Sequence, residues 1–258
     1  MASIQISGLN KIYPGPKPVR ALDQVDLDVL EGEFIALLGP SGCGKSTLLN
    51  ILAGFEPFTE GTVVFDGSAI GKAGPDRGVV FQEAALFPWL TVFDNITFGP
   101  RVQGVQRAVY EKAAKEMLEL VGLVDFAHAY PSQLSGGMRQ RVGIARVLVM
   151  KPRALLMDEP FGALDAQTRL TMQELLLDVW QRLKVTVVFV THDIDEAILL
   201  ADRVCVMSAR PARIARQIPI ELPRPRSIDD LTKPDFIRYK ADIMHVMRAA
   251  HSAKLAAA

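Results

Sequence analysis

Phe34-Ile35-Ala36-Leu37-Leu38-Gly39-Pro40-Ser41-Gly42-Cys43-Gly44-Lys45-Ser46-Thr47 is the stretch on which the fold turns. Its first five residues form a continuous apolar run, the pattern of a strand buried on both faces of a parallel sheet. Ser46-Thr47-Leu48-Leu49-Asn50-Ile51-Leu52-Ala53 then reads as a helix, ended by Gly54. Between strand and helix, the residues match the phosphate-binding P-loop pattern in the context it requires. Gly39, Gly42 and Gly44 let backbone N–H groups turn inward around phosphates without Cβ clashes. The helix N-terminus adds unpaired N–H groups and a partial positive charge. Lys45 supplies a point charge for the β- and γ-phosphates. The Ser46 hydroxyl is a hard oxygen ligand suited to Mg²⁺. A glycine-rich turn that binds nothing is the plainer alternative, and the remaining motifs decide against it.

Three more apolar runs end in polar residues. Ala154 to Met157 runs into Asp158-Glu159. Carboxylates at the carboxyl end of a parallel strand lie where open α/β sheets bind ligands. Asp158 fits a Mg²⁺ partner, and Glu159 fits the group that orients and polarises an attacking water. Alone, the pair reads equally as a solvated strand end, but the P-loop upstream needs a carboxylate from a neighbouring strand. Thr186 to Val190 is followed by Thr191-His192-Asp193, which puts His192 at the same edge. Gly78 to Phe81 is followed by Gln82. Elsewhere, Ser135-Gly136-Gly137 precedes a helical pattern over Met138 to Met150, with Val142, Ile144, Ala145, Leu148 and Val149 apolar. A hydroxyl, two glycine N–H groups and the helix dipole favour an anion there. A simple helix cap is the other reading.

Taken in order, Gly39 to Thr47, Leu134-Ser135-Gly136-Gly137-Met138-Arg139-Gln140, Leu155 to Pro160 and Thr191-His192-Asp193 resemble the ATP-binding cassette (ABC) ATPases. The resemblance covers about residues 3 to 220. It implies an α/β fold: a RecA-like P-loop NTPase core with an antiparallel β subdomain and an inserted α-helical subdomain. The implied organisation is an ABC ATPase domain over 1–220, its helical insert at about 84–151, and a C-terminal helical tail over 221–258. It implies ATP and Mg²⁺, with Gly39, Pro40, Ser41, Gly42, Cys43, Gly44, Lys45, Ser46 and Thr47 around the phosphates. Glu159 and His192 are then catalytic, His192 through the γ-phosphate. Gln82 becomes the Q-loop glutamine, reaching metal and water, and Ser46, Gln82 and Asp158 the metal ligands. Asp165, in Phe161-Gly162-Ala163-Leu164-Asp165, fits the D-loop that crosses a dimer interface. Tyr13 fits the aromatic that stacks on adenine; ordinary strand packing is its other reading. In this family Ser135-Gly136-Gly137 of one copy closes over the ATP of another, so a head-to-tail homodimer with two complete sites is expected.

Composition narrows the setting. The chain has 258 residues, 49% hydrophobic and 22% charged, which indicates a globular protein. No run reaches the roughly 18 apolar residues of a membrane span. Met1-Ala2-Ser3-Ile4-Gln5 lacks the pattern of a signal peptide. Two cysteines, Cys43 and Cys205, point to a reducing cytoplasm. A formal net charge of zero argues against a nucleic-acid partner. Ile4 to Leu9, Val25 to Leu30 and Thr62 to Phe65 read as an antiparallel β layer. Arg107 to Val121 is helical. After Pro219 the chain is Pro- and Arg-rich, and Pro234 starts an amphipathic helix with Phe236, Tyr239, Ile243 and Met247 on one side. The last six residues, 253–258, are expected to fray.

The string Leu86-Phe87-Pro88-Trp89, with Asp76 to Gln82 and Ala209-Arg210-Pro211-Ala212-Arg213-Ile214, is similar to the uptake ATPases for nitrate, sulfonates and taurine. The similarity is closest to the taurine and alkanesulfonate group. It implies a peripheral subunit on the cytoplasmic face of a bacterial inner membrane. Two permease subunits would be its partners, and a periplasmic binding protein would deliver a small anion. Nitrate, cyanate and pyrimidine-precursor importers share much of the pattern, because the ATPase does not touch cargo. A soluble mechanoenzyme ATPase is the alternative of another class. Phe87 and Trp89 have two readings: a surface for a permease helix, or core packing within the helical subdomain.

Overall fold

The structure is a computed structural model that describes residues 2–255. Its strands are β1 (Ala2–Tyr13), β2 (Val19–Leu30), β3 (Phe34–Leu38), β4 (Glu60–Phe65), β5 (Ser68–Ala69), β6 (Arg77–Val80), β7 (Ala154–Asp158), β8 (Thr186–Thr191), β9 (Arg203–Met207) and β10 (Ile214–Pro219). Its α-helices are α1 (Lys45–Ala53), α2 (Val92–Val102), α3 (Arg107–Leu120), α4 (Gly136–Leu148), α5 (Ala166–Leu183), α6 (Ile194–Leu200) and α7 (Pro234–Leu255). The chain forms two compact units, residues 1–74 with 184–258, and residues 75–183.

The first unit carries two kinds of sheet. Strands β2, β1, β4 and β5 pair antiparallel in that order. Both long strands exceed the alternating segments read from the sequence. Register shifts between Ile6 and Leu9 and between Leu9 and Lys11 restore the inward face after each break in alternation. Ile4, Ile6, Leu9, Leu22, Val25, Leu27 and Val29 are all buried. In the other sheet β3 lies parallel between β8 and β9, and β10 adds an antiparallel edge on β9. Every residue of β3 and β8 is buried, which is why these runs show no alternation. Gly54, at φ 76°, ends α1, its N–H returning to the Ile51 carbonyl. Helix α7 packs on α6, β9 and β10, and Phe236, Ile243 and Val246 are buried. Tyr239 and Met247 are half-buried. Residues 256–258, part of the stretch expected to fray, lie outside the described residues.

In the second unit β6 and β7 pair in parallel from Arg77–Ala154 to Val80–Met157. Its helical part encloses Val92, Ile96, Ala114, Leu118, Val121, Leu123, Leu134, Val142, Ala145 and Val149. Helix α4 starts two residues before the expected Met138, because Ser135 caps it: the Ser135 hydroxyl accepts the Met138 N–H at 3.3 Å. Among the described residues no helix is long and apolar enough to cross a membrane.

Candidate functional site

The register of β3 and β8 sets the first group of site residues. Leu38 pairs with Thr191, so both strands end side by side and lead into Gly39 and His192. The P-loop then closes on itself. Lys45 is buried, and its Nζ donates to the Gly39 carbonyl at 2.9 Å and the Pro40 carbonyl at 3.2 Å. The Cys43 N–H donates to the same Pro40 oxygen at 3.3 Å. Gly44 sits at φ 135°, and a Cβ there would stand 3.1 Å from the Ala21 carbonyl oxygen. Glycine is required on both counts. Ser41 and Gly42 are exposed on the loop and Ser46 in the first turn of α1, Pro40, Gly44 and Thr47 are half-buried, and Gly39 is buried. Cys43 differs from its neighbours: its side chain is buried, with Sγ beside Gly39. Its contribution to an anion site is therefore its backbone. Burial pushes the thiol pKa up, against the pull of the Lys45 charge.

Tyr13 stands at the end of β1, with its hydroxyl 3.5 Å from the Thr47 hydroxyl. Its ring is partly exposed, and the Lys11 ammonium lies 4.7 Å from the ring centroid. The ring is thus beside the P-loop helix rather than in the core. His192 is exposed and precedes a strongly capped helix. The Asp193 carboxylate accepts the N–H groups of Asp195 and Glu196 at 2.8 and 3.2 Å. The Thr191 hydroxyl donates to buried Glu196 at 2.6 Å. These bonds fix the backbone on both sides of His192.

The second unit repeats this logic. Val80 pairs with Met157, so Phe81-Gln82 and Asp158-Glu159 leave adjacent strand ends. Glu159 has φ 44°, and its carbonyl accepts the Gly162 N–H at 3.0 Å to close a tight turn. A Cβ placed on Gly162 would lie 3.1 Å from the Gln82 side-chain nitrogen and 3.3 Å from the Glu159 carbonyl oxygen. Gln82 therefore rests against the turn that follows the acidic pair.

Ser135 and Gly136 are exposed at the start of α4, and Gly137 is buried. A Cβ on Gly137 would stand 2.5 Å from the Thr168 methyl, so only glycine fits there. Thr168 belongs to the first turn of α5, whose start is capped by Asp165. The Asp165 carboxylate accepts the Thr168 N–H at 3.0 Å, a bond that holds its pKa below the usual carboxylate range. Ser135 is thus a helix cap, one of the two readings its motif allows. Its hydroxyl hydrogen is not used by that cap, since the oxygen is the acceptor. A cavity of about 370 Å³ joins Gln82, Glu83, Leu86, Gly136, Arg139 and Leu164.

Helix α4 also grips the chain on both sides of Gln82, through Gln140, which stands in the Leu134–Gln140 motif without an expected role, and through Arg146, which sequence reasoning did not single out. Gln140, buried, donates to the Phe81 carbonyl at 3.1 Å. Arg146 donates to the carbonyls of Ala85 and Ala84 at 2.8 and 3.0 Å, and burial lowers its pKa. Further along, Trp89 is 71% exposed, which removes core packing as its role. Phe87 is half-buried, 4.5 Å from Phe98 and 5.7 Å from Trp89 between ring centroids.

This arrangement has known counterparts. The family model described as ABC transporter matches residues 22–162. The chain is 46% identical to the taurine import ATP-binding protein of Rhizobium johnstonii, over 93% of this chain and 94% of that one. It is 44% identical to the nitrate import ATP-binding protein of a Synechocystis strain, over 95% of each. Among solved structures it is similar to a dimeric ATP-binding cassette in a post-hydrolysis state bound to ADP and Pi. That match has a TM-score of 0.73 and 34% identity, and covers 85% of this chain and 99% of that one. The chain belongs to the ABC transporter family. It is an ABC transporter ATPase, with the cassette α/β fold, its antiparallel β subdomain and its helical subdomain.

Proposed function

We propose that two copies of this chain form the ATP-hydrolysing pair of a bacterial importer for a small anion such as taurine or an alkanesulfonate. The observation that carries the importer reading is Trp89, largely exposed on a loop that α4 holds next to Gln82. An exposed aromatic at such a site suits a partner helix. The relatives named for taurine and nitrate import support the same reading. Two permease subunits are the proposed partners, at the cytoplasmic face of an inner membrane, with a periplasmic binding protein delivering cargo to them.

ATP would lie with its phosphates in the loop Gly39 to Thr47 and its adenine on Tyr13. The fit is chemical: the Cys43 N–H and the Lys45 ammonium already converge on one oxygen, that of Pro40, and a phosphate oxygen is a stronger acceptor for both. Ser46, Gln82 and Asp158 would hold Mg²⁺, which neutralises phosphate charge when bound. The set has one carboxylate, the pattern for Mg²⁺ completed by phosphate oxygens. Glu159 takes the role of orienting and polarising the attacking water. His192 donates to the γ-phosphate. Ser135, Gly136 and Gly137 of a second copy cap the same nucleotide, with Asp165 beside that interface. The bonds from α4 to Phe81, Ala84 and Ala85 give a physical route between the permease-facing loop and the Ser135 end of the helix.

Glu159→Gln tests the site. It keeps shape and removes charge, so hydrolysis falls by roughly 10²–10⁴, the range for a positioned acid–base group. ATP binding persists, and ATP drives the variant into a stable dimer by light scattering. Near-normal turnover of the variant rejects the role of Glu159. For the cargo, reconstitution with the permease genetically adjacent to this chain and uptake of labelled taurine, with nitrate as competitor, decides between the two anions.

A further inference from the structure

We infer that Arg210, in the loop between β9 and β10, is a positioning residue for the phosphate cradle. The inference rests on reading Gly39 to Thr47 as the ATP site. The loop Ser208 to Arg213 is closed by its own bonds. The Ser208 N–H donates to the Arg213 carbonyl, and the Arg213 N–H donates to the Ser208 hydroxyl, both at 3.0 Å. It is anchored to β2 as well: the Ala212 N–H donates to Ala21 O at 2.9 Å, and the Asp23 N–H to Ala212 O at 3.0 Å. The Arg213 guanidinium pairs with Asp23. Ala212 is fully buried, with its Cβ 3.4 Å from where a Cβ on Gly44 would be. From this braced loop the exposed Arg210 reaches the P-loop, and its Nη2 donates to the Gly42 carbonyl at 2.6 Å.

The planarity of one peptide bond gives that contact its consequence. In a trans peptide, C=O and N–H point in opposite directions. Arg210 draws the Gly42 carbonyl outward, so the N–H of the same peptide unit, that of Cys43, points inward. There it meets the Pro40 oxygen together with Lys45 Nζ. Without an outward partner, the Gly42 carbonyl is free to rotate toward the phosphates. It would then present a lone pair where a donor is needed. The guanidinium also adds a positive charge at the rim of the loop. This gives a role to the Ala209 to Ile214 motif, which none of the residues around the phosphates, the water or the dimer interface accounts for.

The test uses the purified full chain and three binding probes: MgATP, MgADP and inorganic tripolyphosphate, each by competition with a fluorescent nucleotide. Arg210→Met weakens all three by about tenfold, the lower end for a hydrogen bond to a charged group. KM for ATP rises with Kd, while kcat changes by less than about twofold, as expected when uniform binding is lost. The melting temperature is unchanged, because the side chain is exposed. Arg210→Lys keeps a charge and a donor, and restores affinity to within about threefold. Affinities for all three probes equal to those of the parent overturn the inference. So does a loss confined to nucleotides, with tripolyphosphate unaffected, and so does a parallel fall in kcat and melting temperature that Arg210→Lys fails to rescue. A parent protein that binds neither MgATP nor MgADP overturns the ATP-site reading, and the inference with it.

Discussion

Glu159 carries a Cβ at φ 44°, a conformation that costs an L-residue about 1–2 kcal/mol. Such cost persists where the surroundings over-determine the backbone, and here the Gly162 N–H closes the turn on the Glu159 carbonyl. A substitution pair exposes the strain. Glu159→Gly is expected to be more stable than Glu159→Ala by about 1 kcal/mol, the reverse of the order at ordinary positions. Both lose hydrolysis. Urea unfolding of the two variants measures the difference, and an alanine variant more stable than the glycine variant rejects the strain. The cysteines follow from burial in the same way. Both side chains are buried; desolvation pushes Cys43 up and Cys205 up to about 12. Since the thiolate is the nucleophile, little of it exists at neutral pH, and labelling accelerates as pH rises past the ordinary thiol range. Native protein at pH 7 is therefore expected to keep its ATPase activity in maleimide, with both thiols labelled only after unfolding. Rapid loss of activity with Cys43 adducts in the mass spectrum would contradict this. Residue types could be read from the sequence as chemistry. The left-handed Glu159 and the inward Cys43 could not, because loop closure decides φ and exposure.

Helix α2 and the loop before it depend on one side chain. Asn95 is fully buried, and its amide nitrogen donates to the carbonyls of Phe87, Leu90 and Thr91 at 3.0 to 3.2 Å. Its amide oxygen accepts the Phe87 N–H at 2.9 Å. Thr91 caps the helix through the Asp94 N–H. The loop Phe87 to Thr91 is thus folded around Asn95, which leaves Trp89 facing outward. Asn95→Ala takes the partner from the Leu90 carbonyl and the Phe87 N–H, while the Phe87 and Thr91 carbonyls keep backbone donors, and is expected to cost about 3 kcal/mol. Trp89→Ala is expected to cost under about 1 kcal/mol, since the ring is mostly exposed, while weakening capture of the permease. Thermal unfolding beside a permease pull-down separates these outcomes. A large fall in melting temperature for Trp89→Ala, or unchanged capture, rejects the partner surface. Much of this level was legible in the sequence. Buried strands β3, β7 and β8 announced themselves as unbroken apolar runs, and α1 and α4 by their glycine and serine ends. The lengths of β1 and β2 were less so, because register shifts interrupt their alternation. Trp89 was ambiguous, since an apolar side chain is compatible with core and surface alike; the hydrogen bonding of Asn95 resolves it.

At the scale of the whole molecule, the chain leaves the first unit after residue 74, returns at 184, and ends by tying down the helix that follows His192. Arg226 does most of this. It is 5% exposed, and its guanidinium donates to the carbonyls of Ile198 at 2.8 Å, Ala201 at 2.6 Å and Ile220 at 2.8 Å. Two of these belong to the C-terminal end of α6, where a cation is favoured by the helix dipole. Burial lowers the Arg226 pKa to about 10, so the group remains charged at neutral pH and its bonds are charge-assisted. At the other end of α6, Lys240 on α7 pairs with Asp195 at 2.8 Å, with both side chains about 40% exposed. The two contacts should differ in weight. Arg226→Met leaves buried carbonyls without donors and is expected to cost about 3 kcal/mol or more. For a chain of this size that lowers the melting temperature by roughly 6–12 °C. Lys240→Met removes a solvent-screened pair worth about 0–1 kcal/mol and serves as the control. Calorimetry of both variants tests the ranking: if Arg226→Met melts with Lys240→Met, the tail contributes only through the apolar face of Phe236, Ile243 and Val246. The hydrolysis rate belongs to the same test, because α6 begins at the Asp193 cap, one residue past His192. If the tail sets the register of that helix, kcat of Arg226→Met measured well below its melting temperature falls while ATP affinity holds, since the Arg226 bonds go to the Ile198, Ala201 and Ile220 carbonyls and none reaches Gly39 to Thr47.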